Sequence, residues 1–530
     1  VIPIVAEHVS RMEVRSRLGA RHEPLSIAVK LAPGWAGDIA LRLLAALGEA
    51  VPTGEADIRV SLSTPLAELR IEVQQPTILV TEGRRVAAAT TRLFFTPIGG
   101  GPEIRTPPFK FLEPPAIDQE ELRWYLESYV RWPFGLLRDR AKRVELLLPQ
   151  WGRLLLDQLS RANTANVWHA FRAAPAERRI SVCIDPELVD ATNEETLQAR
   201  EAETRLLSLP WELLHDDGGY LFLDEHGARV RRKLPNYDNK AAIDTSSPLR
   251  VLLLSPRPED DLVGHLDHRA SAIPVVEAIE CLGERAQLRV LSTPTLGALT
   301  EEVKRAANAG TPYHVVHFDG HGVYDKRLGL GALCFEDPKD SERLERRASC
   351  LVPGSALAAI LRNHRVPLVV LEACQSAQSD TQVDASVAGQ LLRGGVASVV
   401  AMSHSLLVET ARRFVAAFYG ALCDGHRVGE AMLRAQRMLA TDRQRAPSAH
   451  ESFELHDWFV PVLYQEDEDP RLVHELPGAT ARELGARRRQ AWLGDVPKAL
   501  PPHGFVGRSR ELLRAERMLL RSRHISIRGQ

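Results

Sequence analysis

Two short stretches carry the residue types that do chemistry. HFDGHG (317–322) places two histidines, an aspartate and two glycines in six positions, directly after the apolar Tyr313, Val315 and Val316. PLVVLEACQS (367–376) places Cys374 after an equally apolar run, 53 positions downstream of His321. His321 admits three readings: a general base, a metal ligand, or a histidine held in a Gly-supported turn. Cys374 supplies the nucleophile that a base would serve. A free thiol has a pKa near ~8.5, so only a few per cent is thiolate at neutral pH; a neighbouring imidazole and a helix start raise that fraction. The imidazole can then protonate a leaving amine. Backbone N–H groups of Gly322 and Cys374 could form an oxyanion hole, where one donor is typically worth about 10²–10³ in rate. The metal reading needs His314, His317 and His321 to converge, yet positions 314 and 317 face opposite sides of a strand. The six cysteines, at 183, 281, 334, 350, 374 and 423, form no C-x-x-C pair. Neither a metal site nor a disulfide framework is expected.

A base and a nucleophile on separate segments need a scaffold that brings two strand ends together. From about residue 178 the chain alternates short Val/Leu runs with amphipathic stretches. Strands are predicted at RISVCID, in the GGYLFLDEHGARVRR region, and at LRVLLLS (249–255), QLRVLST (287–293), YHVVHF (313–318), PLVVLEA (367–373), VASVVAM (396–402) and VPVLY (460–464). Helices are predicted near 270–283, 296–309, 355–363, 385–394 and 407–439. Near-continuous apolar strands between helices indicate a mostly parallel α/β sheet covered on both faces. In such sheets ligands and chemistry lie outside the carboxyl ends of the strands. His321 and Cys374 are each expected just past such an end. Adjacent parallel strands lie about 4.8 Å apart, close enough for imidazole and thiol to meet.

The rest of the chain divides by composition. Residues 1–108 read as a small N-terminal α+β accessory domain, with strands at SIAVKLA, ADIRVSLS and ELRIEVQQPTILVTEG and a helix at WAGDIALRLLAALGEA. GGGPEIRTPP (99–108) reads as a linker. Residues 109–177 read as a helical connector, 178–467 as the main domain, 468–502 as a linker with a helix at ARELGARRRQ, and 503–530 as a further start. ERLERR (342–347) is a charge run expected in a solvated loop. The 530 residues suit roughly two to four domains. A net charge of −2 gives no pull toward nucleic acid or anionic membrane. No apolar run approaches the ~18 residues of a membrane span. The start, VIPIVAEHVS, lacks a signal-peptide core, so a cytoplasmic protein is expected.

Five motifs in order carry a family resemblance: LSLPWELLHDD (208–217), HVVHFDGHG (314–322), LVVLEACQSA (368–377), LLRGGVASVVAMS (391–403) and WFVPVLY (458–464). The stretch from about 118 to 467 resembles the CHAT domain, a branch of the caspase-like cysteine proteases that includes the separase relatives. The resemblance implies a caspase-like fold, His321 as base, Cys374 as nucleophile and Gly322 as backbone oxyanion donor. It implies a protein substrate. A non-catalytic CHAT-like scaffold recruiting a partner through the same cleft is the alternative from another class, and a thiol acyl-transferase or esterase is a weaker one. Asp384, in a loop that lines the S1 pocket of such enzymes, would favour a basic side chain there or else cap the helix that follows. Asp319 either orients its loop, as an Asx turn does, or lies in the cleft. Ser403 and His404 are expected to border the cleft, and Trp211 to anchor the core. The tail HGFVGRSRELLRAERMLLRSRHISIRGQ (503–530) resembles the opening segment of a STAND-type P-loop ATPase, without the G-K-[ST] that contacts phosphate and Mg²⁺. ATP and Mg²⁺ are therefore expected only for a regulatory ATPase and sensor region outside this chain, with no cofactor in the chain itself and oligomerisation on activation.

Overall fold

The computed structural model describes residues 9–15, 26–31, 59–63, 66–81, 83–97, 102–160, 163–185, 193–224, 226–234, 243–266, 268–325, 330–375, 382–448, 451–474 and 509–522. Three strands, Val9–Arg15, Ser26–Leu31 and Arg59–Ser63, make a small sheet of their own. The main sheet has 14 strands among the described residues. In chain order they are β1 (Leu66–Thr81), β2 (Arg84–Phe95), β3 (Ile104–Arg105), β4 (Phe109–Leu112), β5 (Glu177–Asp185), β6 (Ala228–Lys233), β7 (Leu249–Leu254), β8 (Ala286–Val290), β9 (Val315–Asp325), β10 (Leu330–Glu336), β11 (Ser349–Pro353), β12 (Leu368–Gln375), β13 (Ser398–Met402) and β14 (Pro461–Gln465). Across the sheet the order is β8-β7-β9-β12-β13-β14-β6-β5-β1-β2-β3, with β10 and β11 hairpinned beyond β9 and β4 beside β2.

Two parallel blocks meet at one antiparallel seam. Strands β8, β7, β9, β12 and β13 run one way, β14, β6, β5 and β1 the other, and β13 faces β14 across the seam. The helices are α1 (Gln119–Arg123), α2 (Leu136–Leu159), α3 (Ala165–Ala173), α4 (Asn193–Ser208), α5 (His268–Cys281), α6 (Leu296–Asn308), α7 (Gly354–Asn363), α8 (Gln382–Arg393), α9 (Val408–Cys423), α10 (Val428–Thr441) and α11 (Ser509–Leu519). Helix α9 packs on α5 and α10, while α8 packs on α4 and α7. Every residue of β7 and β13 is buried. Because successive side chains of a strand point to opposite faces, both faces of the sheet must be covered. The chain thus has the expected mixed α/β architecture with a mostly parallel sheet.

Four local readings change. The stretch 407–439 is two helices, not one: Gly425, at φ +81°, takes the left-handed conformation that ends α9. Strand β1, read as part of an N-terminal unit ending at 108, pairs in parallel with β5 from Leu66–Glu177 to Gln74–Asp185, so the main sheet crosses that boundary. The ERLERR run is largely solvated, but its last residue, Arg347, is buried against Glu336. The predicted strand ends at 318 and 373 are also too early, because β9 continues to Asp325 and β12 to Gln375. The expected helices at 35–50 and 481–490 and the strand at 524–529 lie outside the described residues.

The LPWELL motif has a packing role. Trp211 is fully buried, and its indole N–H donates to Leu206 O at 2.9 Å. Glu212 forms a buried ion pair with Arg232 of β6, whose guanidinium also donates to Leu207 O and Leu209 O. The motif therefore locks α4 to the centre of the sheet, far along the chain from the histidine and cysteine motifs. No helix among the described residues is long and apolar enough to cross a membrane.

Candidate active site

Strands β9 and β12 are parallel neighbours in unbroken register from Val315–Leu368 to Gly322–Gln375. Within that register His321 is paired with Cys374. Paired positions on adjacent strands share one face of the sheet, about 4.8 Å apart. The two positions therefore meet inside the sheet, not in loops beyond it. Cys374 is the penultimate residue of β12, and α8 begins at Gln382. The expected helix start is thus not adjacent to the cysteine in the chain.

His321 is buried. Its Nε2 donates to the carbonyl oxygen of Gly264 at 2.9 Å. A carbonyl only accepts, so the proton of the neutral ring sits on Nε2 and the lone pair on Nδ1. The segment after β7, 255–266, thereby holds the ring at its Nε2 side. The same segment reaches Asp319, two positions before His321 and on the same strand face. Asp319 is fully buried; its carboxylate pairs with Arg257 and accepts from Ser255 Oγ at 2.9 Å. Arg257 also donates to Asp319 O at 2.6 Å. Space at Gly320 is tight: a Cβ there would lie 3.0 Å from the Phe318 ring and 3.1 Å from Pro256 Cγ.

The remaining sites separate. Asp319 is enclosed by Arg257 and Ser255, so it holds the strand and does not line a cleft. Gly322 pairs with Gln375 on one side and Leu333 on the other, in extended strand where a turn was expected. His317 meets the hydroxyl of Tyr419 at 2.8 Å, with Glu372 Oε1 3.5 Å from its Nε2. His314, one position before β9, turns to the main chain of β7, where its Nδ1 accepts from Arg250 N–H at 2.9 Å, and burial depresses its pKa to about 4. Among the described residues no three His, Cys, Asp or Glu side chains group as metal ligands. Ser403 donates to Val460 O at 3.0 Å and lies 3.1 Å from His404 Nδ1. His404 is buried, and burial together with nearby Arg123 depresses its pKa to about 3, so it stays neutral and is no base at neutral pH. Ser403 is half-buried, and Ser405 N–H, next after His404, donates to Glu127 of the connector. Asp384 sits inside the first turn of α8, not at its cap, and its side chain lies outside the described residues.

The sequence reading missed three residues. Arg257 and Gly264 lie just past the carboxyl end of β7, where the rule for parallel sheets directs attention. Cys334 of β10 is the other register partner of His321, so the histidine lies between two cysteine positions. Cys334 is fully buried, and burial drives its thiol pKa up to about 12. Burial drives Cys183 and Cys423 to about 12 as well, so all three are inert thiols at neutral pH.

The CHAT domain family matches residues 183–465, just over half of the chain. Among solved structures, the chain is similar to a chain of the Saccharomyces cerevisiae separase–securin complex at 10% identity and a TM-score of 0.33. That match covers 76% of this chain and 30% of the other, so this chain spans under a third of its length. Among curated proteins, none matches.

Proposed function

The chain belongs to the CHAT domain family, and on that premise we propose that it is a cysteine endopeptidase that cleaves a partner protein. His321 is the base and Cys374 the nucleophile. The observation that carries the reading is their pairing in adjacent parallel strands. The Gly264 carbonyl holds Nε2–H and leaves Nδ1 to take the thiol proton. The thiolate then attacks the scissile carbonyl, and the imidazolium returns the proton to the departing amine. Water hydrolyses the acyl-enzyme with His321 again as base. The backbone N–H of Cys374 or Gly322 is proposed as the oxyanion donor. His321 is only 4% exposed, which supports a resting state in which a substrate must displace the cover.

The finer parts rest on family analogy: control by an ATPase and sensor region joined beyond the 503–530 segment, with ATP and Mg²⁺ bound there, a cytoplasmic setting, and a role in bacterial defence or cell death. The dyad is tested by the pH dependence of Cys374 alkylation with iodoacetamide, read peptide by peptide in the parent and in His321→Ala. The parent is expected to react well below the ordinary thiol pKa and the variant only as pH approaches about 8.5. Superimposable profiles would remove His321 from the mechanism.

A further inference from the structure

Helix α11 docks on the segment after β7 and on the end of β10, and one of its arginines is buried there. Arg517 is 5% exposed, although it belongs to a short helix otherwise rich in exposed charge. Its guanidinium donates to Glu336 Oε1 at 2.8 Å and to the main-chain carbonyls of Leu344, Glu345 and Arg257. Glu336 ends β10, the hairpin partner of β9. The same Glu336 Oε1 accepts from Arg257 N–H at 3.1 Å, and Oε2 pairs with Arg347. Arg257 is therefore held at both main-chain groups, its N–H by Glu336 and its carbonyl by Arg517. A second contact of the helix, Arg510 with Glu259, falls on the same segment.

That segment bears on His321 by two routes. Its start carries the Arg257 guanidinium, which pairs with Asp319 two positions before the histidine. Its end carries the Gly264 carbonyl, which accepts from Nε2–H. Asp260, between them, accepts from Ser349 N–H and Oγ–H, so the segment is pinned from the β11 side as well.

We propose that Arg517 is a positioning residue for His321 and that α11 is an intrachain strut which sets the base through Glu336, Arg257 and the 257–264 segment. The proposal rests on the reading of His321 and Cys374 as a dyad. Docked, the strut holds the carbonyl that fixes the imidazole tautomer. Undocked, Arg257 loses a main-chain anchor and Gly264 loses its fixed position, so the imidazole turns and the thiol loses its base. A displacement of roughly 1 Å at such a group is enough to lower a rate by as much as about 10²-fold. Whatever engages α11 would thereby adjust the site without touching substrate.

The test is the rate of Cys374 alkylation by iodoacetamide at pH 7, in the full chain, for the parent, Arg517→Lys, Arg517→Met and His321→Ala. Rates are referred to Cys281, which is exposed, with buried Cys334 and Cys423 as reporters of unfolding. Lysine keeps the charge but cannot span one carboxylate and three carbonyls at once. The expected order is parent, then Arg517→Lys, then Arg517→Met, the last reduced about 5-fold or more toward His321→Ala, while Cys334 and Cys423 stay protected. If His321→Ala lowers the Cys374 rate and neither Arg517 variant does, the strut is refuted and the dyad stands. If the Arg517 variants instead expose Cys334 and Cys423, the arginine supports the fold at large and the positioning role is refuted. If His321→Ala itself has no effect, the dyad falls and the strut with it.

Discussion

Replacing Arg257 by methionine tests whether the interior beside His321 is held by charge. The methionine keeps much of the stem and removes the guanidinium. Asp319 is fully buried and would keep Ser255 Oγ as a donor but lose its counter-charge. Removing one member of a buried ion pair costs about 3–5 kcal/mol, because the other charge is left uncompensated in a poorly polarisable interior. Asp319→Asn leaves a buried guanidinium that still donates to the carbonyls of Asp319 and Pro256, so its cost is expected nearer the lower bound of about 3 kcal/mol. The double variant Arg257→Met, Asp319→Asn removes both charges and keeps a carboxamide against Ser255. It should be no less stable than Arg257→Met alone, so the coupling should equal or exceed the Asp319→Asn cost, about 3 kcal/mol. Urea unfolding followed by the intrinsic fluorescence of the 8 tryptophans measures all four proteins. An Arg257→Met cost under about 1 kcal/mol, or single effects that simply add within about 0.5 kcal/mol, would show that charge does not hold this interior.

Two further outcomes follow from the burial of single groups. His404 has a folded pKa of about 3 against an ordinary value of 6.5, so the unfolded chain binds the proton first. The stability this residue confers is complete above pH 6.5 and is lost as pH falls from there toward 3; between pH 7 and 5 the loss is about 2 kcal/mol, which His404→Gln should remove from the urea midpoint difference. Cys334→Ala should leave Cys374 alkylation and any proteolysis within about twofold of the parent, since its buried thiol is inert; loss of activity on a par with Cys374→Ala would transfer the nucleophile's role to the other neighbour of His321.

The two chemical positions were legible because each follows a run of Val and Leu that only a doubly covered strand accommodates. Their setting was misread for an equally physical reason. Gly320 and Gly322 look like turn residues, but both lie in extended strand paired with β12, with the Phe318 ring and Pro256 close to Gly320. Asp319 resembles a loop or cleft carboxylate until its partner is known, and that partner lies 62 positions earlier, in a PRPED stretch that reads as solvated. Arg517 is more distant still, in an arginine-rich helix where no local pattern distinguishes the buried arginine from the exposed ones. Long-range ion pairs have no periodicity, so a sequence displays the strands that carry a site more readily than the residues that hold it.

The activity proposed for His321 and Cys374 is peptide-bond cleavage. The most direct test maps new protein N-termini across the proteome of cells making the parent chain in its activated context, Cys374→Ala, or His321→Ala. A defined set of cleavage sites present with the parent and absent from both variants is the predicted result. The same set persisting with either variant, or no new N-termini while the biological effect is retained in Cys374→Ala, would contradict it and leave the chain a CHAT-fold scaffold.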